Sequence, residues 1–234
     1  WMWSYLQRCG MVDKLAFRDP DLKRGKHIMI TGCSSGLGRA LMDNGIQRGH
    51  VIFPHMRKGK CRITGDITDP QFMDRFYDWL QQCNTQVFIN NAAVYWNINP
   101  EVTSDDKVKE IIDTNVTAQI LMLKRVFNYF RRSGGGLIIN INSLSVDHPN
   151  GDEAIYCASK YAMMGFSKAL QAGAVGTGVE IVDVYPGGIQ TRMTEDRDNY
   201  DTLMDANEVA NQILDLVNRK HHYVNEIKLR KRNR

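Results

Sequence analysis

Short apolar runs alternate along this chain with longer stretches whose apolar residues recur every three or four positions. The runs Lys26–Thr31 (KHIMIT), His50–Met56 (HVIFPHM), Cys61–Thr64 (CRIT), Val87–Ile89, Ile138–Ile141, Val179–Tyr185 (VEIVDVY) and Tyr223–Leu229 have the length and composition of buried strands. Between them, Pro70–Gln82 places Phe72, Phe76, Trp79 and Leu80 on one helical face. Asp105–Arg132 carries a longer stripe of Val108, Ile111, Ile112, Val116, Ile120, Leu123 and Phe127. Ala154–Ala174 and Ala206–Arg219 complete the series. Strand and helix alternate throughout, which predicts one doubly wound α/β domain: a parallel sheet of about seven strands with helices on both faces. The stretch between Met56 and Cys61 breaks the rhythm. It is too short for the crossover helix that a parallel connection normally uses, so that helix is expected to be lost or reduced to a turn.

Two stretches carry candidate chemistry. The first strand runs directly into Gly32-Cys-Ser-Ser-Gly36-Leu-Gly38 and then into a helix that closes at Gly49. Strand, glycine turn and helix together let backbone N–H groups and a helix N-terminus approach a pyrophosphate. The second stretch is Asn140–Lys160, a strand end, a polar loop broken by Pro149-Asn150-Gly151, and a helix start. Tyr156 and Lys160 are four apart on that helix and share a face. A phenol near its ordinary pKa of about 10 is a poor acid–base group at neutral pH, and a nearby ammonium is expected to lower it. Ser143, just past the strand end, is placed to meet the same substrate oxygen.

Composition narrows the setting. The chain has 234 residues, 43% apolar and 24% charged, which suits one domain with a full core. Residues 1–24 read as an N-terminal arm and residues 25–234 as the domain. Trp1, Trp3, Tyr5 and Leu6 give that arm an apolar face, for packing on its own domain or a sister subunit rather than on lipid. Five scattered cysteines with no C-x-x-C pair indicate neither a disulfide framework nor zinc, and point to a reducing, cytoplasmic compartment. No membrane span and no signal peptide are expected. The net charge of +4 is concentrated near the C-terminus in Lys228, Arg230, Lys231, Arg232 and Arg234, read as a solvated end rather than a nucleic-acid site. His221 and His222 are adjacent and point to opposite faces of a strand, so no metal site is expected there.

Taken in order, Thr31-Gly-x-x-x-Gly36-x-Gly38, Asp66, Asn90-Asn91-Ala92, Asn115, Ser143, Tyr156-x-x-x-Lys160 and Pro186-Gly187 leading to Thr191 resemble the short-chain dehydrogenase/reductase family, single-domain branch. The resemblance covers about Lys26–Leu229. It implies a Rossmann-type fold and an NAD(P)-dependent oxidoreductase acting on a small carbonyl/alcohol pair. It further implies that Gly32, Ser34, Ser35, Gly36, Leu37 and Gly38 line the pyrophosphate. Asp66 and Ile67 would meet the adenine; Asn90 would stabilise the sheet and approach the ribose, and Ala92 would meet the cofactor beside it. Pro186, Gly187, Ile189 and Thr191 would meet the nicotinamide. Tyr156 would be the general acid or base, and Lys160 would tune it and hold the ribose. Ser143 would orient the substrate oxygen, and Asn115 would hold a water that links Lys160 to solvent. Ser145 and His148 are substrate-side candidates, although an exposed loop serves equally well for His148. Arg57, after the second strand, favours NADP, with NAD as the other possibility.

The same resemblance implies a homodimer or homotetramer built on the helices 105–132 and 154–174, with Phe130 and Phe166 as candidate contacts. Arg131 and Arg132 could receive an acidic carrier domain, but more simply complement the helix dipole. Cys157 reads as packing rather than as a nucleophile, since no base accompanies it. Three departures stand out: Ala93 where the family usually has Gly, the short stretch after strand two, and a short segment, TRMTEDRDNYDTLMDA, in place of a longer lid. That short lid suggests an open pocket or a small polar substrate. The alternative function is a non-catalytic nucleotide-binding regulator on the same fold, against which Asn115, Ser143, Tyr156 and Lys160 all speak. An extended-branch epimerase would need a different glycine spacing and a large C-terminal domain.

Overall fold

The computed structural model describes residues 25–219 and 223–232; the N-terminal arm, His221, His222 and Arg234 lie outside them. Its strands are β1 His27–Ile30, β2 Val51–Met56, β3 Ile63–Thr64, β4 Val87–Asn90, β5 Gly136–Ile141, β6 Val179–Pro186 and β7 Glu226–Leu229. They form one sheet in the order β3-β2-β1-β4-β5-β6-β7, parallel throughout. Helices α1 Gly36–Gln47, α2 Pro70–Gln82, α3 Asp105–Ile112, α4 Gln119–Arg132, α5 Ala154–Ala174 and α6 Ala206–Leu214 cover both faces. The expected doubly wound fold of seven strands is what forms.

The strand pattern explains the two layers. Side chains alternate along a strand, so Ile28, Ile30, Ile139, Val182 and Val184 face α1 and α6. Met29, Phe88, Ile138 and Ile181 face the opposite way, against Phe72 and Phe76 of α2, Phe130 of α4 and Met163 of α5. Burying each of these phenylalanines is worth roughly 1.5–3 kcal/mol. Phe130 is wholly inside this subunit's core, so it is not the intersubunit contact expected from sequence.

Local departures have local causes. Residues 57–62 hold no helix, and β3 pairs with β2 over only two positions, His55 with Ile63 and Met56 with Thr64. The last long helix ends at Leu214 and tightens into a 3-10 turn over Asp215–Asn218, and β7 starts at Glu226 rather than Tyr223. The helix expected over Asp105–Arg132 is continuous but contains a π-turn at Asp113–Ala118. That wider turn carries Asn115 into the interior.

A polar knot sits within the sheet. Asp183 of β6 accepts from Ser167 Oγ at 2.7 Å, Asn140 Nδ2 at 3.2 Å and Gln171 Nε2 at 3.3 Å. Burial raises its carboxyl from 3.8 to about 6, against the Ser167 and Asn140 bonds that favour the anion. The folded state therefore holds a proton that the unfolded chain releases. This group's stabilisation is present below about pH 4 and is lost as pH rises through about 6, a change of about 3 kcal/mol. Chemical denaturation should show wild type losing up to about that much between those pH values relative to Asp183→Asn, which cannot ionise. Parallel pH profiles for the two proteins would contradict it.

Candidate active site

β1 is paired with β2 on one side and β4 on the other, so the chain reverses its winding direction there. In open α/β sheets this switch point leaves a crevice beyond the strand ends. Here the crevice is a cavity of about 760 Å³ running from the glycine turn to the segment after β6.

Its floor is the turn between β1 and α1. Gly32 has φ of +75°, and a Cβ there would stand 2.9 Å from Ala92 Cα. A Cβ at Gly38 would stand 2.1 Å from the Gly32 carbonyl oxygen, so the helix start closes tightly on the loop. Thr31 Oγ1 ties this loop to the end of β4 by accepting from Asn91 N at 2.9 Å and Ala92 N at 3.0 Å. His55 Nδ1 accepts from Gly32 N at 3.4 Å, and its Nε2 lies 2.9 Å from the Gly65 carbonyl. Burial lowers the His55 pKa, which favours the neutral ring. Ser35 is the N-cap of α1 but makes no side-chain cap, which leaves first-turn N–H groups open toward the cavity. An uncapped helix start over a glycine-rich floor fits a dinucleotide pyrophosphate, which Gly32, Ser34, Ser35, Gly36, Leu37 and Gly38 would hold.

Most of the expected residues line this one cavity: the glycine turn, Arg57, Asp66, Ile67, Ala92, Ser143, Ser145, His148, Tyr156, Lys160, Pro186, Gly187, Ile189 and Thr191. Asp66 Oδ1 is engaged by Thr68 N at 2.9 Å and Thr68 Oγ1 at 2.7 Å. Arg57 stands exposed at the mouth, while Lys58 and Lys60 do not reach it.

Asn90 and Asn115 stand one layer behind the cavity. Asn90 is buried, with Nδ2 donating to Gln119 Oε1 at 3.2 Å and to Asn140 Oδ1 at 3.4 Å; these bonds brace the sheet, and the residue does not itself line the cavity. Asn115 exchanges both amide hydrogen bonds with the Val94 backbone at 2.8 Å and donates to Ser159 Oγ at 3.2 Å. Its side chain is therefore committed to holding the loop after β4 and the turn before Lys160.

At the inner end, the Tyr156 phenol and Ser143 face each other, and the serine's hydrogen bond favours the phenolate. Burial outweighs it and pushes the phenol above its ordinary value. Lys160 is 2% exposed, donates from Nζ to the Ile141 carbonyl at 3.1 Å, and lies 5.6 Å from the Tyr156 ring centre. Burial lowers the lysine itself to about 8. The expectation that Lys160 depresses the tyrosine is thus not met in the protein alone, because desolvation disfavours both charges. Cys157 is buried and free, as a packing residue would be. Among the described residues no cluster suits a metal ion, and no helix is long and apolar enough to cross a membrane.

The sequence reading missed one group of residues beside the phenol. Tyr95 meets Tyr156 edge-on, with ring centres 5.0 Å apart at 89°. Its hydroxyl donates to Glu153 Oε1 at 2.8 Å, and Arg197 Nη2 reaches both Tyr95 Oη and Glu153 Oε1 at 2.7 Å. The three residues come from the loop after β4, the start of α5 and the segment after β6. No spacing in the chain signals such a meeting. One clue was present: Glu153 lies three residues before Tyr156, on the same helical face.

Known proteins resemble the chain in sequence and in fold. The sequence profile described as short chain dehydrogenase matches residues 26–201. The chain is 30% identical over 191 residues to a 3-ketodihydrosphingosine reductase of Bacteroides thetaiotaomicron, covering 77% of this chain and 70% of that protein. A 3-ketoacyl-(acyl-carrier-protein) reductase from Brucella melitensis, solved with NADH, superposes with a TM-score of 0.78 at 19% identity, over 88% of this chain and 97% of that one. A short chain dehydrogenase from Burkholderia cenocepacia, solved with NADP, gives 0.78 at 21% identity, over 88% of each chain. These two structures speak for the fold, and the profile speaks for the lineage. The chain therefore belongs to the short-chain dehydrogenase family and is an NAD(P)-dependent oxidoreductase.

Proposed function

We propose that this protein reduces a small carbonyl compound with NADPH, and that Tyr156 delivers the proton to the carbonyl oxygen. The observation that carries this reading is convergence: Ser143, Tyr156 and Lys160 meet at one end of the cavity whose other end is the glycine cradle. A bound nicotinamide supplies the hydride. The protein supplies position and a proton. Ser143 holds the substrate oxygen beside the phenol, and Lys160, nearly water-free, holds a positive charge where negative charge develops on that oxygen. A phenol is protonated at neutral pH, and burial favours that form, so the resting group can serve as the acid of a reduction. Asn90 and Asn115 act as positioning residues. The relatives' names mention ketoacyl and keto-sphingoid substrates, which are also carbonyls, and this supports the reaction class.

Arg57 carries the cofactor preference. It follows β2, where NAD-selective proteins place a carboxylate for the ribose hydroxyls. Its guanidinium at the cavity mouth can grip a 2′-phosphate, and one charge-assisted bond of about 1.5–3 kcal/mol favours NADPH by about tenfold or more. A panel of ketones, aldehydes and ketoacyl thioesters, followed by loss of reduced-cofactor absorbance, tests both points. We expect turnover of at least one member, a higher kcat/KM for NADPH than for NADH, and loss of that preference in Arg57→Ala. Equal use of both cofactors, or an unchanged preference in the variant, would refute the Arg57 assignment.

Assembly through the two long helices belongs to the same reading. Leu121 on α4 and Tyr161 on α5 are large, exposed and available for a two-fold contact, and Phe166 is only partly covered.

A further inference from the structure

The carboxylate of Glu153 is used by the protein on one side only. Glu153 Oε1 takes all three contacts: Tyr95 Oη at 2.8 Å, Arg197 Nη2 at 2.7 Å and Asn150 Nδ2 at 3.5 Å. Among the described residues, Oε2 has no partner. The residue is buried to 8% exposure, yet Oε2 is not sealed off, and the side chain lines the cavity. A carboxylate oxygen that faces the cavity and takes no donor from the protein is open to a donor from whatever enters. Its position fits a substrate. Glu153 and Tyr156 are three residues apart at the helix start, and both line the cavity. The Tyr95 ring lies edge-on against the phenol and its hydroxyl holds the carboxylate, so both ends of this group are fixed relative to Tyr156.

We propose that Glu153 Oε2 is a substrate-binding group that selects carbonyl compounds bearing a hydroxyl on the carbon next to the carbonyl. This rests on the proposed reduction at Tyr156 and narrows its substrate to small hydroxylated ketones and aldehydes. Arg197 and Tyr95 are positioning residues that fix the carboxylate and neutralise part of its charge. A hydroxyl donates to Oε2 and completes the group. An alkyl chain in the same place leaves the oxygen without a donor, and an anion meets its negative charge. The polar neighbours Asn150, Ser145 and His148 extend this wall, and Ser145 Oγ is itself buried without a partner.

The test compares hydroxyacetone with 2-butanone, which differ by a hydroxyl in place of a methyl group. The wild-type enzyme with NADPH should favour hydroxyacetone in kcat/KM by about tenfold or more. Glu153→Gln keeps the shape and an oxygen for Tyr95 and Arg197, but turns the free position into a donor, and should bring the ratio close to one. A ratio cancels any general loss of activity in the variant. The same pair is titrated into the NADPH complex of Tyr156→Phe, where binding is read without turnover. A wild-type ratio near or below one, an unchanged ratio in Glu153→Gln, or no tighter binding of hydroxyacetone in the complex would overturn the proposal. Tighter binding of hydroxyacetone without reduction of any carbonyl would instead uphold this site and refute the reaction assigned to Tyr156.

Discussion

Tyr156→Phe is expected to abolish carbonyl reduction while leaving NADPH binding nearly intact. The substitution removes one oxygen and keeps the ring, so the edge-on packing against Tyr95 at 5.0 Å survives. The glycine cradle and Arg57 are separate residues and are untouched. What disappears is the proton donor, and a positioned general acid is worth about 10²–10⁴ in rate. Steady-state kinetics should show kcat down by at least about 10², with the NADPH dissociation constant, read by fluorescence titration, within about threefold of wild type. Near-wild-type turnover in the purified variant would remove Tyr156 from the reaction.

Lys160→Ala should damage both functions. Lys160 is the buried charge at this end of the cavity, and its ammonium also braces the end of β5 through the Ile141 carbonyl. On the proposed reading, removing it takes away a contact for the ribose and the positive field at the substrate oxygen. We expect kcat/KM to fall by about 10²–10⁴ and the NADPH dissociation constant to rise about tenfold. Lys160→Met, which keeps most of the stem volume, should fail in the same way if the ammonium rather than packing is what matters. The lysine also sets a pH dependence. Its pKa is lowered to about 8, so its charge is present below that pH and lost above it. Wild-type reduction should therefore decline as pH rises through about 8, and the residual activity of both variants should lack that limb. A variant with full rate, or with the same limb, would contradict the assignment.

Much of the fold was legible because its signals are local. Ile28 and Ile30 alternate with Met29, Phe72 and Phe76 recur at helical spacing, and a glycine turn follows a strand at once. Tyr156 and Lys160 were legible for the same reason, since four residues on a helix is a distance written in the chain. The π-turn at Asp113–Ala118 was not, because the apolar stripe runs through it unbroken and only the packing of Asn115 on Val94 shows the widened turn. The sheet-bracing half of the Asn90 expectation has its counterpart in bonds to Gln119 and Asn140, while strand alternation turns the residue away from the cavity that Asn91 and Ala92 line. The Tyr95–Glu153–Arg197 group depends on residues far apart in the chain that meet only after folding. The tyrosine's ionisation was misjudged because spacing reports the nearness of Lys160, while burial, the larger effect, is a property of the whole fold.

Transfer of a labelled hydride reports on reduction at Tyr156 without relying on absorbance. NADPH carrying deuterium at both C4 positions is incubated with the purified protein and a carbonyl that it consumes, and the alcohol is analysed by mass spectrometry. One deuterium should appear on the carbinol carbon for each NADPH oxidised, and essentially none from Tyr156→Phe under the same conditions. NADPH that binds the cavity without delivering deuterium to any carbonyl, or a phenylalanine variant that delivers it as fast as wild type, would contradict it.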